Sequence, residues 1–328
     1  MNLSGVKTVV IGGGTGSFTL LKTLKNYTHD ITALVNMTDD GGSTGILRDE
    51  LGVLPPGDVR QCLVALSNAP YLRDVLSYRF EDGTFKGHAF GNLLMAALEK
   101  VSGSFTNGVS IASEILNITG KVEPVLINNV KLCMKTADGK TYKGQHTIEQ
   151  SNFKQTRPEL WLEPNPEVNQ SALSAVEQAD YIIVAPGNLY ASLAPALLVP
   201  EVGHAIKASK AKKVFVCNLV TKPGQTDGFA VNDFVSEIER FIGGKCIDTV
   251  LYNNKKPAKR LLDKYAFQGE FGVEIDRGVI KDSHYTAVGA SLIGEVHTSS
   301  KSDLMARTLI RHDSEKLARQ LAKIYYAA

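Results

Sequence analysis

The chain has 328 residues, of which 43% are hydrophobic and 21% charged, a composition typical of a globular protein with a sizeable core. Its 36 basic and 34 acidic side chains nearly cancel, so the charge carries no signature of binding to a nucleic acid polymer. No apolar run is long enough to predict a membrane span, and none reads as a signal peptide. The four cysteines lack CxxC spacing, which disfavours disulfides or zinc and favours the cytoplasm.

The start of the chain reads strand, glycine loop, helix and strand. Residues 7–11 are mostly apolar, as in a parallel strand buried on both faces. Further apolar strands are predicted over 31–37, 181–184, 214–217 and 248–252, and helices are predicted to begin near Gly57, Gly91 and Asp313. The helix after Gly91 is predicted to bury Leu93, Leu94, Ala97, Leu98 and Val101. This alternation predicts one doubly wound α/β domain over residues 1–328, with a mostly parallel sheet.

Residues 121–164 differ from the rest of the chain. Apolar and polar residues partly alternate there, as at Val130 and Leu132, which is the period of a half-buried strand. Asp138-Gly139 predicts a tight turn between two such strands. We therefore expect a β-hairpin insertion within the domain that covers or extends the main sheet.

Ligands in doubly wound sheets bind beyond the carboxyl ends of the strands, so the loops that follow strands are the candidate sites. The first such loop consists of Gly12, Gly13, Gly14, Thr15 and Gly16. Glycines let the backbone approach a phosphate, and the next helix start offers free N–H groups. Ser17 stands where a dinucleotide fingerprint has its last glycine, and no Walker lysine follows. Anion binding is favoured over a simple tight turn, without naming the ligand.

The second loop carries Asp39, Asp40, Gly41, Gly42 and Ser43. Two consecutive carboxylates beside glycines suit a Mg²⁺ ion held between protein and phosphate, because magnesium prefers oxygen ligands and keeps several waters. The alternative is an Asx turn with a helix cap. Asp39 and Asp40 are therefore the candidate catalytic and metal-binding residues.

Later loops add further candidate ligand residues, namely Asn92, Gly187, Asn188, Tyr190, Ser192 and Asn218. Tyr190 either packs in the core or stacks on a base, and the sequence does not decide between them. Arg60 is expected to meet an anionic ligand or to pair with Asp58 or Glu50. Lys222 is a point charge for an anion, and Arg307, Arg311 and His312 are weaker candidates.

These motifs together resemble the YvcK-like proteins, known as gluconeogenesis factors and related to the 2-phospho-L-lactate transferases of the CofD type. The matching runs, in order, are GGGTG at 12–16, TDDGGSTG at 38–45, LPPGDVR at 54–60, GNLL at 91–94, PGNLY at 186–190 and KPGQTDG at 222–228. The resemblance extends from residue 5 to about residue 313. It implies a three-layer α/β/α, Rossmann-like fold.

The resemblance also implies two activities. The transferase relatives move a phospholactyl group from a guanosine diphosphate carrier to a deazaflavin alcohol with Mg²⁺, and their acidic site maps on Asp39 and Asp40. The YvcK-like branch is linked to cell shape and cell-wall growth on gluconeogenic carbon sources, and to binding of UDP-sugars such as UDP-N-acetylglucosamine. The long DDGGSTG and LPPGDVRQ blocks place this chain in that branch. Lys222 and Gln225 stand at positions where Gln and Glu, respectively, are common in the YvcK-like branch.

We therefore expect a cytoplasmic regulatory protein that binds a nucleotide sugar of the UDP-N-acetylglucosamine type. A Mg²⁺-dependent transferase of the 2-phospho-L-lactate type, with a guanosine nucleotide as ligand, is the alternative. A nicotinamide oxidoreductase is disfavoured by the missing third glycine, and a pure scaffold is disfavoured by the many glycines at strand ends. The oligomeric state is left open, and a homodimer is compatible with the sequence.

Overall fold

The computed structural model describes residues 2–153, 157–294 and 310–327. Its strands, in chain order, are β1 Thr8–Gly12, β2 Ile31–Val35, β3 Lys121–Pro124, β4 Lys131–Lys135, β5 Thr141–Lys143, β6 Glu159–Glu163, β7 Tyr181–Val184, β8 Lys212–Val216, β9 Thr249–Asn253 and β10 Thr286–Ala290. Seven of them form the main sheet in the order β10-β9-β8-β7-β1-β2-β3. Every pairing in that sheet is parallel.

The helices, in chain order, are α1 Gly14–Leu24, α2 Gly42–Leu51, α3 Gly57–Leu66, α4 Pro70–Ser77, α5 Phe90–Ser102, α6 Phe105–Ile115, α7 Gln145–Gln150, α8 Gln170–Glu177, a π-helix Leu189–Leu193, α9 Ala194–Leu197, α10 Pro200–Ala208, α11 Val231–Ile242, α12 Lys259–Phe267, α13 Arg277–Lys281 and α14 Ser314–Tyr326. No single helix of the described residues is long and apolar enough to cross a bilayer. Only the π-helix with α9, taken together with α10 across a 77° bend, reaches that length and composition.

The central strands form because their residues are apolar without interruption. All five residues of β1 and all four of β7 are buried, as expected for parallel strands covered on both faces by helices. On one side of the sheet α1 contacts α3 and α14, and elsewhere α10 contacts both α8 and α11. The predicted Rossmann-like α/β fold with a mostly parallel sheet is confirmed.

The order of the strands reverses between β1 and β7. The chain adds β2 and β3 on one side of β1, and then returns to add β7, β8, β9 and β10 on the other side. At such a switch point the loops leave neighbouring strands in opposite directions and open a crevice beyond their carboxyl ends. The loops after Gly12 and after Val184 therefore border the place where a ligand is expected.

Two helices test the sequence expectations closely. Asp313 caps α14 by accepting the N–H groups of Glu315 and Lys316, and Leu317 of that helix is buried as predicted. The helix α5 also forms, but its predicted inner face is partly wrong, because Val101 is 85% exposed. The buried positions of α5 are Gly91, Asn92, Met95 and Ala96, which lie toward its start.

The small sheet contains β5, β4 and β6 in that order, with antiparallel pairing. The hairpin between β4 and β5 turns at the predicted Asp138-Gly139. The predicted insertion 121–164 begins too early, because β3 pairs in parallel with β2 and forms the edge of the main sheet. The insertion also contains α7, a helix that the alternating pattern did not indicate.

Gly16, the third residue of α1, allows a test of the contact between α1 and the loop after β7. A Cβ atom on Gly16 would lie 1.7 Å from the carbonyl oxygen of Pro186, so only glycine lets α1 approach the loop after β7. We expect Gly16→Ala to lower the free energy of unfolding by about 1–3 kcal/mol through overpacking, despite the better helix propensity of alanine.

Urea denaturation of the two proteins measures this difference. Gly272→Ala is the matched control, because a Cβ atom there meets nothing within 4 Å. Equal stability of Gly16→Ala and the wild type would show that the two loops can separate without cost.

Candidate functional site

The turn from β1 into α1 is built around a carboxyl group from α3. The backbone N–H of Gly14 donates a hydrogen bond to Asp58, and a Cβ atom on Gly13 would lie 2.3 Å from Asp58 Oδ2. Gly14 has a φ of +63°, a left-handed conformation that glycine adopts without strain. The helix begins at Gly14, and no side chain caps it. Thr15 is exposed in its first turn.

Two carboxyl groups of this region are poorly solvated. Burial and the negative charge of Asp39 together raise the pKa of Asp58 to about 8, although the Gly14 N–H and the positive charge of Arg60 act in the opposite direction. Burial also raises the pKa of Asp39, and its Oδ1 accepts the N–H of Gly41 at 3.1 Å. Asp58 therefore holds a proton at neutral pH, while Asp39 is the half-buried acid that faces it.

Asp40 does not share the position of Asp39. Its Oδ1 accepts the N–H of His146 at 2.7 Å, and its Oδ2 lies 3.9 Å from an Arg48 nitrogen. A Cβ atom on Gly144 would lie 2.4 Å from the same Oδ2. Asp40 therefore caps the start of α7 in the insertion, although its charge still acts on Asp39, and Asp58 is a further carboxyl group beside Asp39. Consecutive residues in this extended loop point in different directions.

Ser43 and Asn92 belong to a buried polar chain behind the first turn of α2. Asn92 is 2% exposed, its Oδ1 accepts from Arg60 Nε at 2.8 Å, and its Nδ2 donates to Ser43 Oγ at 3.2 Å. Ser43 Oγ also lies 3.1 Å from His88 Nδ1. The predicted ligand contact by the Asn92 side chain is therefore not supported, because that side chain is enclosed by its protein partners.

Arg60 extends this chain toward α4. It also donates to the carbonyl oxygen of Leu76 at 3.3 Å, instead of pairing with Asp58 or Glu50 as one alternative expected. Burial lowers the pKa of Arg60 to about 10, and the nearby positive charge of Arg79 contributes in the same direction. Arg60 remains charged at neutral pH and supplies a positive field beside the two acids.

Tyr190 lies in the core. It is fully buried, and its ring packs edge-on against Phe153 and Phe241 at centroid distances of 5.0 and 6.0 Å. The sequence left two alternatives open for Tyr190, and the structure supports packing in the core. The prediction that Tyr190 contacts the ligand by stacking on a base is therefore wrong. Ser192 lies half-buried in the same π-helix, and its N–H donates to the carbonyl oxygen of Asn188.

The loops after β7 and β8 are tied to each other. Asn218 Nδ2 donates to the carbonyl oxygen of Gly187 at 2.8 Å, which leaves its buried Oδ1 without a protein partner. Asn188 caps the π-helix through its Oδ1, which accepts the N–H of Ala191. These loops line a cavity of about 160 Å³ together with the start of α1 and residues 310–312. That volume accommodates one part of a nucleotide-sized ligand.

His312 lines the same cavity. Burial lowers its pKa to about 4, so the imidazole is neutral at physiological pH, and its Nε2 has no protein partner. Arg311, which precedes it, also lines the cavity. Arg307, the third basic candidate in this stretch, lies outside the described residues.

Comparison with known proteins identifies the family. Residues 8–293 match the family described as 2-phospho-L-lactate transferase CofD. The chain belongs to the CofD family. A gluconeogenesis factor of Bacillus subtilis is 37% identical over 324 residues, which cover 97% of this chain and 98% of that protein. A gluconeogenesis factor of Halalkalibacterium halodurans is 37% identical over 313 residues, 94% of either chain.

A solved structure confirms the fold of this CofD-family chain. The crystal structure of a UPF0052-family protein from Bacillus halodurans superposes with a TM-score of 0.88 at 34% identity. The match covers 97% of this chain and 99% of that chain. The recognised resemblance to gluconeogenesis factors of the CofD family is therefore confirmed over nearly the whole sequence.

The structure adds residues to the site of this CofD-family chain that sequence reasoning missed. Asp58 appeared only as a partner for Arg60, although an acidic residue in the first turn of the helix predicted near Gly57 was a usable signal. Glu149 on α7 gave no signal, because only the fold of the insertion brings it near Asp39 and Asp58, where its charge acts on both.

Asp58 predicts how the stability of this CofD-family protein depends on pH. Its pKa is about 8 in the folded protein and 3.8 in an unfolded chain, so between those values the folded state holds a proton that the unfolded state has lost. The free energy of unfolding should therefore fall as pH rises from about 5 to 8, by up to about 1 kcal/mol per pH unit.

Thermal denaturation of wild type and Asp58→Asn between pH 5 and pH 9 measures this slope. Asn cannot lose a proton, so the variant should lose less stability across the range, and the exposed Asp74→Asn should behave as the wild type. Parallel curves for wild type and Asp58→Asn would contradict a protonated Asp58.

Proposed function

We propose that this protein binds a phosphorylated nucleotide, of the UDP-N-acetylglucosamine type, in the crevice between β1 and β7. We further propose that it acts in the cytoplasm as a regulator of cell shape and cell-wall growth on gluconeogenic carbon sources. The observation that carries the binding proposal is the pair of glycine-opened helix starts that follow β1 and β2. Neither α1 nor α2 is capped by the side chain of its N-cap residue or has an acidic residue in its first turn, and at α1 the Gly14 N–H alone donates to Asp58.

Two such helix starts are suited to phosphate. The first N–H groups of a helix have no partner inside the helix, and the helix dipole places partial positive charge there. Phosphate oxygens accept those N–H groups directly. The glycines Gly13, Gly14, Gly41 and Gly42 precede or open the two helices and carry no side chain that would screen them. Family membership supports this, because the CofD family is described by a phosphorylated substrate.

The cavity of about 160 Å³ supports a place for another part of the ligand. It adjoins Thr15 and Gly16 of α1, and the buried acceptors Asn218 Oδ1 and His312 Nε2 belong to its lining residues. Apolar side chains of Leu219, Val220 and Ile310 complete that lining, a combination typical of sites for small organic groups.

The binding proposal is tested by thermal denaturation with UDP-N-acetylglucosamine. A ligand that binds only the folded state should raise the melting temperature by about 5 °C at 100 times its dissociation constant. Uridine, which lacks the phosphates, should raise it much less. An unchanged melting temperature with every UDP-sugar and guanosine nucleotide at millimolar concentration would remove the proposal.

A Mg²⁺-dependent transferase of the 2-phospho-L-lactate type is the second candidate function, and the acids Asp39 and Asp58 favour it. Asp39, which hydrogen-bonds with the Thr44 hydroxyl, and the neighbouring Asp58 offer the oxygen donors that Mg²⁺ prefers. Within the described residues, no group of three or more His, Cys, Asp or Glu side chains is arranged to hold a metal ion. One or two carboxylates are enough for Mg²⁺, because phosphate oxygens of the substrate and water molecules supply its other ligands.

In this reading Asp39 would hold the ion together with Asp58, whose proton the ion would displace, and the ion would offset the charge of the phosphates. The first turns of α1 and α2 would orient the phosphate groups. Asp40 would act indirectly, because it fixes α7 through the N–H of His146.

Asp39→Asn tests the transferase. The substitution keeps the hydrogen bond with the Gly41 N–H but removes the charge, so turnover should fall by about a hundredfold or more while the protein stays folded. The measurement is the release of guanosine nucleotide when the phospholactyl group passes from its guanosine-linked donor to an added deazaflavin alcohol in the presence of Mg²⁺. The exposed Asp263→Asn is the control, and full turnover in Asp39→Asn would reject the role of this carboxylate.

A further inference from the structure

One carboxylate links two loops at the edge of the crevice. Glu149 Oε1, from α7 of the insertion, lies 3.4 Å from Lys222 Nζ and 3.4 Å from Asn188 Nδ2. Asn188 follows β7 and Lys222 follows β8, so two donors from neighbouring strand-end loops converge on a single oxygen. Two donors from separate loops that meet at an anionic oxygen form the arrangement of an anion subsite.

Both donors are held in place by their own loops. Asn188 Oδ1 accepts the N–H of Ala191, which directs the Nδ2 group of the same amide away from the π-helix. The backbone N–H of Lys222 donates to Thr226 Oγ1 at 2.7 Å. The positions of both donors are therefore set by contacts that do not involve Glu149.

The contact that Glu149 makes is weak and accessible. The Glu149 side chain is 47% exposed and that of Lys222 is 34% exposed, and 3.4 Å is long for a charge-assisted hydrogen bond. Exposed ion pairs of this kind contribute little to stability. A phosphate group, which carries more charge and more acceptor oxygens than a carboxylate, is able to compete for both donors.

The backbone of α7 does not depend on the Glu149 carboxylate. Gln225 Nε2 donates to the carbonyl oxygens of Ile148, Glu149 and Ser151 at 2.9 to 3.1 Å, which holds the end of α7. At its start, Gln145 Oε1 accepts from Asn36 Nδ2 and Thr38 Oγ1 at 2.8 and 2.7 Å. A change at the Glu149 side chain therefore leaves the helix anchored at both ends.

We propose that Lys222 and Asn188 form an anion subsite for a phosphate group of the bound nucleotide, and that Glu149 occupies it until the ligand arrives. The proposal rests on the proposed nucleotide binding and adds the residues that receive one phosphate. Glu149 also lowers the affinity for the nucleotide, because the phosphate must displace its carboxylate in order to bind. Its negative charge also acts on Asp39 and Asp58, so displacement changes the field at both acids.

Isothermal titration calorimetry on the full chain tests the subsite with two probes, inorganic pyrophosphate and UDP-N-acetylglucosamine. Glu149→Gln should bind both about two- to fivefold more tightly than the wild type, the size expected when one half-exposed ion pair no longer competes. Lys222→Met should weaken binding of both probes. Adding Glu149→Gln to Lys222→Met should then give a smaller gain than in the wild type, because the ion pair is already absent and only the contact with Asn188 is left to release.

Glu177→Gln, an exposed acid at the end of α8, controls for the change in net charge. Equal or weaker binding of UDP-N-acetylglucosamine by Glu149→Gln would overturn the subsite and leave the nucleotide proposal intact. Tighter pyrophosphate binding without any UDP-sugar or guanosine nucleotide binding would support the subsite and overturn the nucleotide proposal. The same gain from Glu149→Gln in the Lys222→Met background would overturn the subsite as well.

Discussion

The candidate site depends on one contact, the hydrogen bond from the Gly14 N–H to the buried carboxyl group of Asp58. It joins the end of β1 to the first turn of α3, and so fixes where α1 begins. Gly13 must lack a side chain because the Asp58 carboxyl fills that space. The first turn of α1 then lies beside the loop after β7, at the switch point where a ligand is expected.

Much of the fold was predictable because burial on both faces of a parallel strand demands an unbroken apolar run. The strands at Tyr181–Val184 and Thr8–Gly12 carry that signature and formed as expected. The face of α5 was less predictable, because apolar residues such as Val101 recur at helical spacing on a side that is exposed among the described residues. The edge strand β3 was assigned to the wrong sheet, since its alternation does not reveal its partner.

The site was predictable at the level of loops and less so at the level of side chains. The glycine loop after β1 lies at the switch point, and Asp39 follows the neighbouring strand β2 at the same edge of the sheet, as the position of loops after parallel strands requires. Asp40 and Tyr190 follow the same loops but point elsewhere, into the start of α7 and into the core. Glu149 lies far from every strand-end motif in sequence. Only the three-dimensional path of the insertion brings it to the crevice.

The way α7 is fastened has a consequence for how this protein family can change. The helix belongs to the insertion, yet its two ends are bonded to residues of the main domain, Asn36, Thr38 and Asp40 at one end and Gln225 at the other. The insertion is therefore not an independent module. A chimera that exchanges residues 131–163 with those of a relative must also exchange these four residues of the main domain. Otherwise α7 of the exchanged insertion will lack its hydrogen-bond partners.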